Sequence, residues 1–164
     1  MKSKEKSLAS WKQTYVFRVI ATTSIVLSTQ GNFKQDWNRS YLLEPQGSPR
    51  GAVVLLHGLT DAPYSLRHIA KLYQQRGYVV VAIRMPGHGT VPAGLTDVEW
   101  EDWLAATHLA VREARRRVPA PLPLQIVGFS NGGALALKYT LETLDGSQLP
   151  LSLIHISEPT RLLS

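Results

Sequence analysis

The 164-residue sequence contains no cysteine, and this absence removes two kinds of chemistry from consideration. Without thiols the chain can form neither disulfide bonds nor thiolate–metal sites, although their absence says little about the compartment. The sequence also lacks the phosphate-binding patterns G-x-x-x-x-G-K-[ST] and G-x-G-x-x-G, and no set of His, Asp and Glu has metal-site spacing. We therefore expect neither a metal nor a cofactor.

Charged residues are sparse, at 18% of the sequence, and the excess of positive charge is confined to one end. Residues 1–50 hold eight Lys or Arg against three Asp or Glu, whereas residues 51–164 hold ten against nine. A nucleic-acid-binding face needs clustered Lys and Arg on the folded domain. The one such cluster after residue 50 runs from Arg112 to Arg117, at the predicted end of a helix, where cations favour the negative end of the dipole. We therefore expect no nucleic-acid partner.

Residues 1–40 form a basic N-terminal segment that lacks a long hydrophobic run. Its apolar part, Tyr15 to Leu27, follows four lysines, which is the order of a signal peptide or membrane anchor. However, Arg18 and the polar run Thr22 to Ser24 interrupt it, and it is shorter than the roughly twenty residues of a bilayer-spanning helix. Its content of Tyr, Val, Phe, Ile and Thr also favours a β-strand. Membrane association through this segment is therefore an open expectation, and so is the location: cytoplasmic, anchored or exported.

One short stretch carries a catalytic pattern. The apolar run Leu124 to Val127 predicts a buried strand, and Ala134 to Leu137 opens a helical run. Between them, the residues Gly128-Phe129-Ser130-Asn131-Gly132 match G-x-S-x-G, in which a serine is held on a sharp strand-to-helix turn.

The glycines and the following helix both have a reason in this pattern. The turn is strained, and a Cβ at Gly128 or Gly132 would collide with the neighbouring chain. Because Ser130 precedes a helix N-terminus, backbone N–H groups, notably that of Asn131, would point to where an oxyanion forms.

The remaining chain alternates between strand and helix patterns. Continuous apolar runs at Ala52 to His57 and Tyr78 to Ile83 predict buried strands. Asp61, ahead of Pro63, and the pattern Thr96 to Glu99 are expected to cap two helices. Alternating strands and helices predict a parallel sheet, which binds ligands at the carboxyl ends of its strands.

Three segments together resemble the α/β-hydrolase family, and within it the carboxylesterase and monoacylglycerol-lipase-like branch. They are His57-Gly58-Leu59-Thr60, Pro86-Gly87-His88-Gly89 and Gly128-Phe129-Ser130-Asn131-Gly132-Gly133. The resemblance covers residues 41–144 and neither end of the chain. It implies a partial α/β-hydrolase domain over residues 41–150, that is, the front half of an α/β fold with a mostly parallel sheet and helices on both faces.

The resemblance also implies a function. Ser130 would form an acyl-enzyme with a small-molecule ester, such as an acylglycerol or a short acyl ester, and the N–H group of Leu59 would join that of Asn131 in an oxyanion hole. His57, Gly58, Gly128 and Gly132 would support the motifs, with His57 a structural hydrogen-bonding group. A serine aminopeptidase shares this front half and is the alternative enzyme. A non-catalytic binding protein on the same fold is a third hypothesis, although it would not need a strained serine.

A serine nucleophile needs a base, and in the resembled family an acid and then a histidine follow the serine in the chain. After Ser130 the sequence offers Glu142, Asp145, Glu158 and the single histidine His155. Asp145 lies about four turns along the predicted helix, away from the nucleophile. His155 follows too closely for two further strands to intervene. We therefore expect this chain to lack the acid and base and to be inactive.

Residues 151–164 have an unusual sequence. The stretch Leu151 to Arg161 looks like the conceptual translation of a transposase-type sequencing adapter, followed by barcode. We expect residues 151–164 to be an artefact and the genuine chain to end near Pro150. The strand Leu124 to Val127 would then be a hydrophobic sheet edge that favours aggregation.

Other residues have plainer interpretations. His88 is expected to shape the loop above the site, while His68 and His108 are expected to be solvated on helices. Trp100 and Trp103 are interpreted as core or interface residues.

Overall fold

The computed structural model describes residues 38–89, 92–144 and the backbone of 153–157. The predicted signal, anchor or strand over Tyr15 to Leu27 lies outside these residues. In the part of the chain that is described, no helix combines the length and the apolarity needed to cross a bilayer.

In the described part of the chain, five strands form one sheet. They are β1 (Tyr41–Leu43), β2 (Gly51–Leu56), β3 (Tyr78–Ile83), β4 (Leu124–Phe129) and β5 (Leu153–Ser157), arranged in the order β1-β3-β2-β4-β5. Strand β1 runs antiparallel to β3, and every other pair is parallel. All six residues of β2 are buried, as expected for a strand covered on both faces. The predicted mostly parallel sheet is confirmed.

Three α-helices cover the two faces of the sheet: α1 (Arg67–Gln75), α2 (Trp100–Arg117) and α3 (Asn131–Leu144). Alternate strand residues point to opposite faces. Val54 and Leu56 therefore join the larger core cluster with α2 and α3, whereas Val53 and Leu55 join the smaller cluster with α1. The helices on both faces were predicted, and α3 begins directly after Ser130 rather than at Ala134.

Both predicted helix caps are wrong in detail. A 3-10 turn, Pro63–Leu66, precedes α1, and its N-cap is Ala62, without a side-chain bond. Asp61 instead closes a turn, because its N–H donates to the carbonyl of Gly58 at 3.1 Å. The capping box of α2 pairs Glu99 with Asp102. A carboxylate at the N-cap accepts the same amide hydrogen bond as a hydroxyl, so the cap lies three residues later than predicted.

The predicted sheet edge at β4 is also wrong, because β5 pairs with β4 in parallel from Gln125↔Leu153 to Phe129↔Ser157. An unpaired strand offers a row of N–H and C=O groups, and the alternating Leu-Ile-His-Ile sequence has high strand propensity. Such pairing depends on strand propensity rather than on the origin of the residues. The adapter interpretation of residues 151–164 therefore stays a prediction.

The arginine cluster ends α2, as predicted, and the side chains of its last three members are engaged. Arg116 and Arg117 both bond Glu113, and Arg117 also pairs with Glu44 at 2.7 Å. The hydrogen bond from Arg116, joined by the Arg117 charge, lowers the pKa of Glu113. Arg115 donates to the carbonyl of Leu122 at 2.8 Å. These contacts tie the end of α2 to the strands beside it.

Candidate active site

Ser130 occupies a strained turn between β4 and α3. Its φ of 51° places it in the left-handed region, and it is exposed. For a residue with a Cβ this conformation costs about 1–2 kcal/mol. The Ser130 carbonyl accepts hydrogen bonds from the N–H groups of Gly133 at 2.8 Å and Ala134 at 3.2 Å, which start α3. The hydroxyl therefore stands at the carboxyl end of a central strand and at the N-terminus of a helix.

Two glycines make this turn sterically possible. A Cβ added to Gly128 would overlap the carbonyl oxygen of Gly132. A Cβ added to Gly132 would overlap the carbonyl oxygen of Leu56, at the end of β2. The first turn of α3 therefore lies directly against the backbone at the end of β2, too close for a side chain at Gly132.

The segment after β2 lies beside Ser130. In the parallel pairing of β2 with β4, Leu56 is level with Gly128. Gly58 and Ser130 each follow these paired residues by two positions, so both lie just past the same edge of the sheet. A Cβ on Gly58 would meet the ring of Phe129 at 3.1 Å, so the two segments are in contact.

Two backbone amides are available at this edge. Within the described residues, neither the Leu59 N–H nor the Asn131 N–H has a hydrogen-bond acceptor. For Asn131 the reason is its position, since the first amides of a helix have no intrahelical partner. The side-chain Nδ2 of Asn131 is likewise buried without a partner in this part of the chain.

His57 is fully buried and makes two hydrogen bonds. Its Nε2 accepts from the N–H of Met85 at 3.1 Å, and its Nδ1 lies 2.8 Å from the carbonyl oxygen of Gly58. Burial is the main cause that lowers the pKa of His57 from 6.5 to about 4, although the Gly58 bond opposes it. The ring is therefore neutral near pH 7.

His88 packs behind His57, within the loop that follows β3. It is 4% exposed, and its ring meets that of His57 edge-on at 4.9 Å between centroids. Its Nδ1 lies 2.9 Å from the carbonyl oxygen of Pro86, which also accepts from the indole N–H of Trp103 at 3.0 Å. Trp103 packs against the core as predicted, whereas Trp100 is 50% exposed. The pattern of the sequence gave no signal for Met85 or for the indole contact.

Of the candidates for acid and base, Asp145 and Glu158 lie outside the described residues. His108, predicted to be solvated, is half-buried and pairs with Glu142 at 3.0 Å, because α2 and α3 pack side by side. His68 is exposed on α1, as predicted. His155 stands level with Val127, three residues before the level of Ser130, or about 10 Å along the strand. Within residues 38–89 and 92–144, no group of acidic and histidine side chains could hold a metal ion.

A cleft of about 350 Å³ opens beside the segment that follows Leu59. Hydroxyl, amide and carboxylate side chains line it together with small residues: Asn38, Thr60, Asp61, Ala62, Tyr64, Ser65 and Gly89.

Comparison with known proteins places these features in a family context. A family model described as serine aminopeptidase, S33, matches residues 47–152, which is about two thirds of the chain. A thermostable monoacylglycerol lipase from Bacillus sp. (strain H-257) is 33% identical over 85 residues, covering 52% of this chain and 33% of the lipase.

Solved structures share the fold. A structure from a study of the metagenome-derived lipolytic enzymes LipS and LipT has a TM-score of 0.58 and 31% identity. The match covers 75% of this chain and 47% of the chain in that structure. A thermostable carboxyl esterase from Bacillus coagulans, in complex with glycerol, has a TM-score of 0.58 at 22% identity. The match covers 71% of this chain and 38% of the esterase. The chain therefore spans between a third and a half of the length of these relatives. The predicted resemblance to the α/β-hydrolases is confirmed.

Proposed function

Because the chain belongs to the serine aminopeptidase S33 family of α/β-hydrolases, we propose that it carries the nucleophile of a serine hydrolase acting on carboxylic esters. One observation carries the proposal: Ser130 is exposed, with a φ of 51°, at the start of a helix. A strained non-glycine residue persists only where the surrounding structure enforces it, and such residues cluster at functional sites.

The reaction proceeds through an acyl-enzyme. The Ser130 Oγ attacks the ester carbonyl carbon while a base takes its proton, and the carbonyl oxygen becomes an oxyanion. The N–H groups of Leu59 and Asn131 stabilise that oxyanion, and each such donor is worth about 3 kcal/mol. The alkoxide leaves with the proton from the base, and water then releases the acid by the same steps in reverse order. His57, Gly58, Gly128 and Gly132 support this geometry, and no cofactor takes part.

In this proposal, the acid and base are not supplied by the 164-residue chain. Two described histidines support this, since both ring nitrogens of His57 are engaged and His108 is paired with Glu142. A serine without its base retains only the catalysis that the oxyanion hole and binding supply. We therefore expect the 164-residue chain alone to be close to inactive.

A small-molecule ester is the proposed substrate class. The support is the relatives, which are named as a monoacylglycerol lipase, lipolytic enzymes and a carboxyl esterase. The family description favours a second candidate, an aminopeptidase that cleaves an amide bond through the same serine. Membrane association through residues 1–40 is also kept as a proposal.

Covalent labelling tests the nucleophile. The chain is treated with a fluorophosphonate, with and without imidazole as an external base, and adducts are located by mass spectrometry. We expect one slow adduct at Ser130 that imidazole accelerates, and its loss in Ser130→Ala. The matched control Ser65→Ala removes another exposed serine and should label normally.

The alternatives give different results. Labelling unchanged in Ser130→Ala, or absent under all conditions, would contradict the nucleophile and favour a non-catalytic binding protein. Rapid labelling without imidazole would contradict the proposal that this chain does not supply the base. Ser130-dependent release from an aminoacyl p-nitroanilide, in excess of release from p-nitrophenyl butyrate, would favour the aminopeptidase.

A further inference from the structure

The carboxylate of Asp61 lies half-buried in the cleft that follows Leu59. Within the described residues it makes no hydrogen bond and no ion pair, and the 3-10 turn after it begins without a side-chain cap. Only the backbone N–H of Asp61 is engaged, with the carbonyl of Gly58. An ionised carboxylate has two oxygens that accept hydrogen bonds. Both are therefore available to a ligand in the cleft.

The neighbouring side chains add acceptors and an aromatic ring. The hydroxyl of Ser65 donates to the carbonyl of Ala62 at 3.0 Å, so its lone pairs can still accept. The exposed hydroxyl of Thr60 has no partner among the described residues, and Tyr64 contributes its ring. The volume of about 350 Å³ lies within the range of small-molecule sites, about 300–1,000 Å³. The cleft therefore suits a small ligand that donates hydrogen bonds.

The charges at the cleft narrow the ligand further. Asp61 is the one carboxylate among the described lining residues, and it repels an anion. Two arginine side chains border the cleft and disfavour an organic cation. Arg67 lies 4.0 Å above the ring of Tyr64, and the Cδ of Arg84 would be 3.0 Å from a Cβ on Gly89. A neutral ligand with hydroxyl donors meets both restrictions, and two adjacent hydroxyls match the two oxygens of a carboxylate.

The cleft adjoins the residue that precedes the nucleophile. A Cβ on Gly58 would lie 3.1 Å from the ring of Phe129 and 3.3 Å from Oδ2 of Asp61. The ring and the carboxylate therefore flank the same point of the backbone. Since Ser130 follows Phe129 directly, a ligand held by Asp61 would lie at the same edge of the sheet as the exposed serine.

From these observations we propose that the cleft binds a vicinal diol, and that Asp61 accepts a hydrogen bond from each of its two hydroxyls. The inference deepens the proposed function and rests on it, since the diol would belong to the alcohol portion of the ester. A sugar and glycerol both carry such a diol. The cleft is therefore assigned to this shared chemistry, and the two sources are separated by experiment.

Titration with small alcohols, followed in the ¹⁵N spectrum of the chain, tests the binding without any reaction. Methyl glucoside and glycerol carry adjacent hydroxyls, whereas 1,3-propanediol does not. We expect saturable shifts of the backbone amides of Thr60, Asp61 and Ser65 with the first two ligands and none with the third. The tighter of the two ligands identifies the source, a sugar or glycerol.

Two isosteric substitutions separate the carboxylate from the rest of the surface. Asp61→Asn removes the charge that strengthens both hydrogen bonds and should weaken binding at least about tenfold. Its side chain has no partner among the described residues, so the fold should be retained. Asp97→Asn is the matched control, because Asp97 is exposed and does not line the cleft, and it should bind normally.

Several results would overturn the diol site. They are equal binding of 1,3-propanediol, unchanged affinity in Asp61→Asn, and tighter binding of ethylammonium, which would indicate a cation site instead. Should Asp61→Asn not fold, the comparison of glycerol with 1,3-propanediol in the unsubstituted chain decides alone.

The connection with the reaction is measured separately. Saturating diol should slow the fluorophosphonate labelling of Ser130, with imidazole present, several-fold in the unsubstituted chain and not in Asp61→Asn. Diol binding that leaves the labelling rate unchanged would overturn the alcohol subsite, while the serine nucleophile would stand. Diol binding without any labelling of Ser130 would contradict the proposed function, while the diol site would stand.

Discussion

Two backbone segments meet at the same edge of the sheet, and they are held by different means. The elbow, residues 128–132 after β4, is fixed by steric exclusion, since both of its glycines touch backbone where a Cβ would be. The oxyanion segment, residues 57–61 after β2, is fixed by hydrogen bonds from His57 and Asp61 to one carbonyl.

The difference shows what each segment can tolerate. The elbow depends on the absence of side-chain atoms at its two glycines, so one added methyl group disrupts it at any pH. Protonating the buried imidazole of His57 removes the Nε2 lone pair that accepts from Met85 and buries a charge, so acid destabilises this segment, while small changes in volume matter less. The elbow should therefore respond to added volume, and the oxyanion segment to protons.

The largest expected effect is at the elbow. Gly132→Ala places a methyl group on the Leu56 carbonyl, where backbone cannot yield, and should lower the free energy of unfolding by more than about 3 kcal/mol. Gly47→Ala is the control: its φ is +84° but nothing lies within 4 Å of the added Cβ. Its cost should be only about 1 kcal/mol. Denaturant titration measures the unfolding free energy of both variants. Equal losses would contradict the claim that steric exclusion fixes the elbow.

The oxyanion segment should respond to acid. The unfolded chain protonates His57 near pH 6.5, whereas the folded chain holds the pKa at about 4. Between these values the unfolded state binds more protons, so stability is full above pH 6.5 and falls as the pH drops toward 4. The free energy of unfolding should fall by about 3 kcal/mol as the pH approaches 4.

Two variants test whether His57 causes this dependence of the unfolding free energy on pH. His57→Gln should flatten the dependence of the unfolding free energy on pH between 6.5 and 4, because its side chain does not titrate. His68→Gln, on the exposed face of α1, should leave the dependence unchanged. If His57→Gln kept the same dependence of the unfolding free energy on pH, the acid sensitivity would come from a group other than His57.

The smallest effect concerns the strain at Ser130. Ser130→Gly removes the penalty of a left-handed residue and should raise the unfolding free energy by about 1 kcal/mol, less the extra entropy of the unfolded glycine. Ser130→Ala keeps the Cβ and should leave the unfolding free energy nearly unchanged, and neither variant should be labelled by a fluorophosphonate. If both variants were equally stable, φ at this position would carry no strain.

Much of this site could be predicted from the residues. Gly128, Ser130 and Gly132 lie within five positions, and the strand before them and the helix after them are local patterns. The position of the loop after β2 at the same edge followed from the parallel sheet. The caps of the helices were less predictable, because Asp61 and Thr96 instead bond the carbonyls of Gly58 and Ala93, three residues before each.

The strained serine, the glycines around it and the alternation of strands and helices depend on neighbours within a few residues, so they can be read from the sequence. The tautomer of His57 depends on Met85, 28 residues away, and so became visible in the folded chain. The pairing of His108 with Glu142 and the covering of β4 by β5 likewise became visible there. Contacts between distant segments depend on strand register and helix packing, which no local pattern specifies.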